Sequence, residues 1–429
     1  MSSAIKPENL FAAAEPSLVR CPYPEYARLR TEQPVQWLTG LNAYAVTRYD
    51  DVLDILRRAK EFSSRRQTGP GSATPLAKRV ANDESYSPEV RAWAARRVEI
   101  AESSPVLVNC DPPRHAQQRR NFQRTFSPAR VEKTAPAIQA IADDLIDGFV
   151  ARGSADIVRD FAIPLPMTVI ADALGIPSSE MSTFKRWSDA FVMANGNPSL
   201  TREQIGGLFG AMNEFYDYMT AELAERDEAP RDDLITDVAA ATAGEGEPLT
   251  HNERLQILAQ FLIAGNETTT SLLAAAVLKF TQDPLLQDTL RKDPELVPAF
   301  VEEVLRLESP VQGLFRIANE DSVVGGTPVP KGSFLWLLYG SCNRDESVFP
   351  EADELQLERE NATSHLAFAR GEHLCLGANL ARAEARIALQ TLLRRLSRIR
   401  LAPGESGDEY FPSLVQHGMT RLKVVFEPA

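Results

Sequence analysis

A ten-residue loop near the C-terminal end constrains this chain more than any other segment. It reads FARGEHLCLG from Phe368 to Gly377, and a helical pattern follows it at once, continuing to about residue 396. Cys375 therefore stands just before a helix N-terminus, where free N–H groups and the helix dipole favour a thiolate. Gly371 and Gly377 allow sharp backbone turns and the close approach of a flat partner. The loop could thus hold a metal through sulfur, although a lone cysteine in a helical protein is more often an inert buried residue.

The longest helical pattern has a regular start and an irregular centre. Thr250 and Glu253 have the spacing of a capping box, in which both side chains satisfy free N–H groups at a helix start. The pattern then continues to about Phe280, which is roughly 30 residues and on the order of 45 Å. Its centre, AGNETTT at 264–270, contains Gly and Thr, which are poor interior helix residues. Either Gly265 only permits close helix packing, or the small residues let a ligand approach the backbone.

Most of the remaining chain has apolar residues at helical spacing, punctuated by Pro and Gly. Strands are predicted only at 35–46 and 323–338, around turn signals. Residues 63–107 form a long connection with one predicted helix at 88–101, and connections of this length are usually functional or mobile. Residues 1–15 are expected to be loosely ordered. The predicted fold class is mainly α with a minor β part.

Charge and composition argue against several classes of protein. The formal net charge of −13 disfavours general binding to nucleic acids or anionic membranes, because both reward a basic surface. The four cysteines are scattered, without a CxxC pair or zinc-ligand spacing, so no disulfide framework is expected. The N-terminal residues lack the apolar stretch of a signal peptide. Because Gln260, Asn266 and Glu267 interrupt the most apolar windows, we expect no membrane span and a cytoplasmic protein.

Another helix is predicted to begin after Asp111, with Asp111 as its cap and Pro112 and Pro113 in the first turn. His115 and Arg119 are then four residues apart on one helix face. Two such groups side by side ordinarily repel weakly, but opposite a carboxylate they form a clamp.

The cysteine loop closely resembles the haem-binding signature of the cytochrome P450 family, F-G-x-G-x-H-x-C-x-G. It departs at Ala369, where the family usually has glycine, and this change is expected to stiffen the loop while leaving the ligand in place. The AGNETT segment is similar to the family's oxygen-activating helix. Glu303 and Arg306 match its E-x-x-R motif, and Arg359 falls where the third charged partner of that motif lies.

The resemblance implies a cytochrome P450 fold formed by one domain over residues 16–429. Haem b then lies between the long central helix and the helix after the cysteine loop, with Cys375 as the axial ligand of its iron. The residues that the resemblance assigns to haem contacts are Phe368, Gly377 and, at the propionates, His115, Arg119, Arg316 and His373. Those it assigns to proton delivery are Thr268 and Glu267. Those it assigns to holding the loop in register are Glu303, Arg306 and Arg359.

The implied activity is that of a monooxygenase, which inserts one atom of O₂ into an apolar organic substrate. Electrons are expected from a ferredoxin and an NAD(P)H-linked ferredoxin reductase, because the chain has no flavin domain and no iron–sulfur cysteine set. Arginines near the cysteine side of the haem could form a basic docking face for an acidic ferredoxin. The candidates are Arg114, Arg119, Arg120, Arg124, Arg370 and Arg382. The protein is expected to be a monomer.

Analogy with the family places several residues around the substrate. They are Phe261, Ala264, Val311, Leu314, Phe315, Leu414 and Val415. Their apolar character favours a bulky terpenoid, steroid or polyketide-like compound. An aromatic acid is the alternative substrate, since Arg65, Arg66, Lys78, Arg79, Arg96 and Arg97 could anchor its carboxylate. Two other functions stay open: a peroxide-driven haem-thiolate enzyme and a non-catalytic haem-binding or carrier-recruitment module.

Overall fold

The computed structural model describes residues 16–65, 72–103, 105–194, 200–244, 246–413 and 415–429. The prediction for residues 1–15 and the assignment of Leu414 to the substrate pocket lie outside these ranges. Helices dominate the described residues, as predicted. They are α1 Pro16–Arg20, α2 Tyr23–Glu32, α3 Tyr49–Arg57, α4 Thr74–Ala81, α5 Pro88–Ser103, α6 Arg114–Phe122, α7 Pro128–Asp147, α8 Pro164–Leu174, α9 Met181–Ala194, α10 Arg202–Glu228, α11 Leu234–Ala239, α12 His251–Gln282, α13 Pro284–Lys292, α14 Val297–Glu308, α15 Tyr339–Cys342 and α16 Ala378–Arg395.

The strands are short and form a minor part of the fold. They are β1 Val35–Leu38, β2 Ala43–Val46, β3 Phe62–Ser63, β4 Ser154–Asp156, β5 Thr242–Gly244, β6 Glu247–Pro248, β7 Leu314–Ala318, β8 Ser322–Val324, β9 Thr327–Val329, β10 Phe334–Leu337, β11 Leu396–Leu401 and β12 Lys423–Pro428. The largest sheet has the order β1-β2-β10-β7-β3. Both predicted β regions are therefore confirmed. The strands outside them, among them β7, β11 and β12, were missed, and so was helix α4 within the long connection.

Both halves of the central helix α12 are part of the hydrophobic core. Its predicted capping box is confirmed, since the side chains of Thr250 and Glu253 bond reciprocally to each other's backbone N–H. The Gly and Thr residues do not break the helix, because Thr268 and Ser271 donate their hydroxyls to carbonyls one turn earlier, at 2.9 Å each. The N-terminal half packs in one hydrophobic cluster and the C-terminal half in another.

By length and composition α12 could cross a membrane, which corrects the expectation that its polar residues forbid this. However, 67% of its most apolar stretch is buried inside the protein. A helix that is apolar all round and covered by other helices is placed as a core helix.

Strand β7 points its side chains alternately to two sides of the sheet. Phe315 is 2% exposed and stacks on Trp336 of β10, with ring centroids 5.8 Å apart. Leu314 and Arg316 therefore share the opposite side of the strand. The antiparallel register with β10 pairs Phe315 with Trp336 and Arg316 with Leu335, which holds this alternation in place.

A buried cluster of charges joins α14 to the segment that precedes the cysteine loop. The side chains of Glu303 and Arg306 are fully buried and meet at 2.7 Å, and Arg359 Nε lies 3.1 Å from Glu303. Arg306 also donates to the carbonyls of Asn343 and Glu354 at 3.0 and 2.9 Å. Burial by itself raises the pKa of Glu303, but hydrogen bonds from Arg306, the backbone and Arg359 lower it overall. The carboxylate is therefore charged and satisfied.

We expect Glu303→Gln to destabilise the protein by about 3–5 kcal/mol, because it leaves two buried guanidinium groups without a counter-charge. Urea denaturation followed by circular dichroism measures the loss. Glu295→Gln is the matched control, since Glu295 is exposed just before the same helix. Equal denaturation midpoints for the two variants would show that the cluster contributes nothing to stability.

Candidate functional site

A cavity lies between α12 and the cysteine loop, with about 1500 Å³ of empty space, part of it open to solvent. It brings together residues that are far apart in the chain. The cysteine loop contributes Phe368, His373, Cys375 and Gly377; α6 contributes His115 and Arg119; α12 contributes Phe261, Ala264 and Thr268; and the segment after α14 contributes Val311 and Leu314. Most of the residues predicted from the sequence to share a site therefore do so.

The cysteine loop is closed on itself at its base. The backbone N–H of Cys375 donates to the carbonyl of Phe368 at 2.9 Å, and α16 begins three residues after the cysteine. The thiol of Cys375 opens into the cavity instead of being covered by protein atoms. Burial raises the pKa of the thiol overall, and a hydrogen bond from Gly377 and the charges of Arg119 and Arg382 offset part of this rise. The loop thus presents sulfur to the cavity with donors and cations that favour a thiolate.

Ala369 shows what the departure from the usual glycine costs. Its φ of 54° lies in the left-handed region, which costs a residue with a Cβ roughly 1–2 kcal/mol. Gly371, with a φ of 73°, adopts the same region without that cost. Ala369 is 8% exposed and belongs to a hydrophobic cluster with residues of the large sheet, such as Val46 and Leu335. This packing offsets part of the strain.

Cationic and imidazole groups collect at one edge of the cavity. The rings of His115 and His373 lie 4.0 Å apart at 31°. Burial and the charge of Arg119 lower the pKa of His115 to about 4, and Arg316 acts in the same direction. Arg316 is 4% exposed and donates to the carbonyl of Phe315. Among the described residues, no acidic side chain pairs with Arg119 or Arg316, so the edge has unmatched positive charge.

The centre of α12 presents two different groups on two sides. Thr268 lines the cavity, and its hydroxyl donates to the carbonyl of Ala264 at 2.9 Å. Glu267 is not part of the cavity lining and lies instead toward α9. The pKa of Glu267 is raised to about 7, mainly by burial and in part by the charge of Asp189, while the charge of Lys185 acts in the opposite direction. Gly265 leaves room for Ile170 of α8, because a Cβ there would meet that side chain at 3.4 Å. The centre of α12 therefore combines both alternatives: Gly265 allows close helix packing, and Thr268 faces the cavity.

Sequence reasoning missed Glu384 of α16. It is 2% exposed, lines the cavity and has a carboxylate oxygen without a hydrogen-bond partner among the described residues. Burial raises its pKa to about 8, while a hydrogen bond with Thr269 lowers it. The available signal was an acid on an apolar stripe: Leu380 and Ala388 flank it at helical spacing.

Two predicted pocket residues lie elsewhere. Phe315 and Val415 pack in the cluster around Trp336, behind the sheet, because β7 turns Phe315 away from the cavity. The predicted anchors for a carboxylate do not line the cavity either. Arg65 approaches Asp111 at 3.6 Å, Lys78 pairs with Glu102 and Arg96 pairs with Asp217. Arg79 and Arg97 are also absent from its lining, and Arg66 is outside the described residues.

The predicted cap at Asp111 is wrong. Helix α6 begins at Arg114 without a side-chain cap. The carboxylate of Asp111 instead accepts hydrogen bonds from the Ser63 hydroxyl at 2.5 Å and the Ser64 N–H at 2.7 Å. The Ser64 hydroxyl lies 2.9 Å from Nε2 of His373. Asp111 therefore connects the end of β3 to the site and does not stabilise the helix start.

The predicted basic docking face is only partly free. Arg114 pairs with the buried Glu253, and Arg382 pairs with Glu302 at 2.6 Å. Arg370 donates to the carbonyl of Thr363. Arg120 and Arg124 are exposed, and no ion pair is formed by either with the part of the chain that the structure describes.

These groups fit an iron porphyrin. The thiol is open to the cavity, the unmatched arginines suit propionates, and apolar side chains line the space between. Within the described ranges, no three His, Cys, Asp or Glu side chains converge to hold a bare metal ion. A metal here would therefore be held by Cys375 as part of a prosthetic group.

Comparisons with known proteins agree with this geometry. Residues 71–406 match the family model described as Cytochrome P450. The chain is 34% identical to Cytochrome P450 107B1 of Saccharopolyspora erythraea over 93% of each chain. It is 35% identical to a Steroid C26-monooxygenase of Mycobacterium tuberculosis over 76% of this chain and 87% of that one. The structure of CYP109Q5 from Chondromyces apiculatus superposes with a TM-score of 0.82 and 35% identity, covering 97% of this chain and 98% of that one. From matches of this extent it follows that the chain belongs to the cytochrome P450 family, the haem b-dependent monooxygenases that incorporate one oxygen atom from O₂ into an organic substrate.

Proposed function

We propose that this enzyme oxygenates a bulky, neutral, apolar substrate above a haem held by Cys375, with electrons from a ferredoxin. The observation that carries the proposal is that the Cys375 thiol and the Thr268 hydroxyl line one apolar cavity. Sulfur would ligate the iron from the cysteine-loop side. Arg119, Arg316, His115 and His373 would hold the propionates, since their edge has positive charge without acidic partners among the described residues.

Haem b supplies the redox chemistry that activates dioxygen. The chain's own residues supply ligation, orientation and protons. The Cys375 sulfur receives a hydrogen bond from Gly377, which tunes the electron density that it can donate. Phe368 lies beside the cysteine, and the guanidinium of Arg382 stands 4.6 Å from the centre of its ring. The charge of Arg382 is itself held by Glu302, so this side of the loop is fixed by contacts within the chain.

Protons would reach the cavity through α12. With a pKa of about 7, Glu267 holds a proton in a large fraction of molecules at neutral pH and can exchange it. Thr268 Oγ1, one residue later, faces the cavity, where its hydroxyl could position a water molecule or hand on a proton. Glu267 would thus act as the proton reservoir and Thr268 as the group that delivers the proton.

A neutral substrate is favoured over an aromatic acid. Apolar side chains form a large part of the cavity lining. They include Leu107, Phe261, Ala264, Val311 and Leu314. Arginines of the predicted carboxylate anchor are engaged by acids outside the cavity. Burying a carboxylate in this wall without a cation would be costly. A steroid-sized hydrocarbon skeleton matches this chemistry, and one relative is named a Steroid C26-monooxygenase.

The experiment that tests this function is a titration of the holoenzyme with testosterone and, separately, with benzoate. We expect testosterone to displace water from the iron and convert the haem from low spin to high spin, and benzoate to have no effect below millimolar concentration. Ala264→Phe should abolish the steroid response, because it fills the wall next to Thr268, whereas Val323→Phe on exposed strand β8 should not. A high-spin shift with benzoate alone would contradict the neutral-substrate proposal.

Thr268→Ala should retain haem and bind the same ligands but lose the link between electron use and product. We expect product formed per NAD(P)H to fall at least about tenfold, with hydrogen peroxide accounting for the difference, because the hydroxyl that handles the proton is absent. The measurement compares NAD(P)H, product and peroxide in one assay with a substrate identified by the titration.

Thr270→Ala is the matched control, since Thr270 donates to the carbonyl of Ala162 at 2.9 Å and faces away from the cavity. It should keep the wild-type ratio. If Thr268→Ala kept that ratio too, the proposed role of Thr268 would be refuted. Faster turnover of wild-type enzyme with hydrogen peroxide than with ferredoxin would favour the peroxide-driven alternative.

The exposed cations near the cysteine side support a ferredoxin as the electron donor. Arg120 and Arg124 are free for an acidic partner, whereas Arg114 and Arg382 are engaged within the chain. Leu374, next to the cysteine, is 45% exposed and could offer a partner an apolar contact. Charged rims steer association, and a small apolar centre completes many interfaces.

We expect Arg120→Glu combined with Arg124→Glu to raise the KM for an acidic [2Fe–2S] ferredoxin about tenfold or more at low ionic strength, and less at high salt. Reduction by dithionite should be unchanged. Arg398→Glu is the control, because Arg398 is 71% exposed and pairs with Glu427 on β12. Loss of ferredoxin affinity in the control to the same extent would contradict a local docking face.

We further propose that residues 16–429 act as one domain, and that the enzyme is a cytoplasmic monomer. The single helix α12, which belongs to two hydrophobic clusters and joins them, supports the first, and the net charge of −13 supports solubility over attachment to an anionic membrane.

A further inference from the structure

We infer that Gln118 and Gln260 are positioning residues for substrate selection: together they hold residues 105–108, a wall of the cavity, in one shape before any substrate binds. The inference rests on the proposed function, because it assumes that this cavity receives the substrate. It also explains how the cavity could distinguish substrates by size: a wall of fixed shape limits the space for a substrate, whereas apolar side chains alone do not.

The wall segment has little support of its own. Leu107 and Val108 line the cavity, yet their segment forms only a 3-10 turn, Leu107–Asn109, and no strand in the described part of the chain pairs with it. Leu107 has a φ of 39°, in the left-handed region that residues with a Cβ rarely adopt. A strained conformation of this kind persists only when surrounding contacts impose it.

Gln118 of α6 supplies one set of contacts. Its side chain is fully buried, and its Oε1 accepts the N–H of Leu107 at 2.9 Å. Its Nε2 donates to the carbonyl of Pro105 at 3.4 Å. One amide therefore satisfies a donor and an acceptor on the two sides of Val106.

Gln260 of α12 supplies the second set. Its Nε2 donates to the carbonyl of Val106 at 3.1 Å, and its Oε1 accepts the N–H of Val108 at 3.4 Å. The carbonyl of Val106 also accepts the N–H of Asn109 within the turn. The two glutamines thus bond to four consecutive residues. Each glutamine uses its amide nitrogen as a donor and its amide oxygen as an acceptor, a combination on two separate atoms that a carboxylate or a hydroxyl does not provide.

The two helices that supply these amides, α6 and α12, also contribute other residues to the site. Gln118 lies between His115 and Arg119, whose side chains form the cationic edge, and Gln260 lies two turns before Thr268. The wall is therefore positioned relative to the haem edge and to the proton-delivering hydroxyl at once. Because both amides bond to the backbone of the wall, we expect them to act on substrate selection through the shape that they impose on it.

The test uses the haem-loaded enzyme and the variants Gln118→Met and Gln260→Met, which keep side-chain length but remove both polar atoms. Gln256→Met, one turn earlier on α12, is the matched control, because the amide nitrogen of Gln256 reaches the Ser103 hydroxyl at 3.4 Å, on helix α5. Haem content and the thermal midpoint identify any variant that fails to fold. Hydrogen exchange is followed by mass spectrometry on peptides covering 105–110, without ligand.

We expect exchange in this segment to become at least about tenfold faster in both variants and to stay within about twofold of wild type in the control. A second measurement compares the dissociation constants of imidazole and 4-phenylimidazole from the shift of the haem spectrum. The ratio of the two constants should change by about fivefold or more in Gln260→Met, because only the phenyl group reaches the wall.

Unchanged exchange in Gln118→Met and Gln260→Met, or an equal change in Gln256→Met, would overturn the inference. So would a ratio of dissociation constants within about twofold of wild type. The proposed function fails in a different way: if imidazole itself left the wild-type spectrum unchanged, no iron would face the cavity, whatever the exchange rates were.

Discussion

The site depends on a group of buried charges that must stay together. Glu303, Arg306 and Arg359 are withdrawn from water, and each would be costly if left alone. Their mutual satisfaction, together with donation from Arg306 to backbone carbonyls, ties α14 to the chain that leads into the cysteine loop. The chain that leads into the loop is therefore held in place. Losing these buried contacts would cost more free energy than the strain at Ala369, so the loop tolerates that strain and an open thiol.

The central helix solves a second problem, that of placing polar chemistry inside a hydrophobic core. The hydroxyls of Thr268, Thr270 and Ser271 are each satisfied by a carbonyl, in α12 itself or in the segment before α8. Glu267 has no such partner among the described residues. Burial raises its pKa to about 7, so that a large fraction of molecules carry a proton on this carboxyl group at neutral pH. The same burial that makes α12 a core element thus gives it a titratable group near neutrality, without any neighbouring metal or cofactor being required for the shift.

Much of this could be predicted from the sequence, and the residues show why. The capping box at Thr250, the cysteine before a helix start and the turns around the strands are local signals, and each is confirmed. Asp111 was misassigned because an Asp-Pro-Pro sequence fits a helix cap as well as it fits a bond to distant Ser63 and Ser64. Which acid engages Arg114 or Arg382 depends on helices far apart in the chain, and no spacing rule predicts it.

The two sides of strand β7 serve different purposes. On one side, Leu314 faces the cavity and Arg316 belongs to its cationic edge. On the other side, Phe315 packs on Trp336 behind the sheet. Side chains on a strand alternate with a period of two, so the insertion or deletion of one residue would exchange these assignments. A guanidinium would then enter the cluster around Trp336 and a phenyl ring would replace the cation. Evolution of the pocket along this strand is consequently confined to changes of side-chain size at fixed length, and insertions and deletions are confined to the turns beyond Ala318.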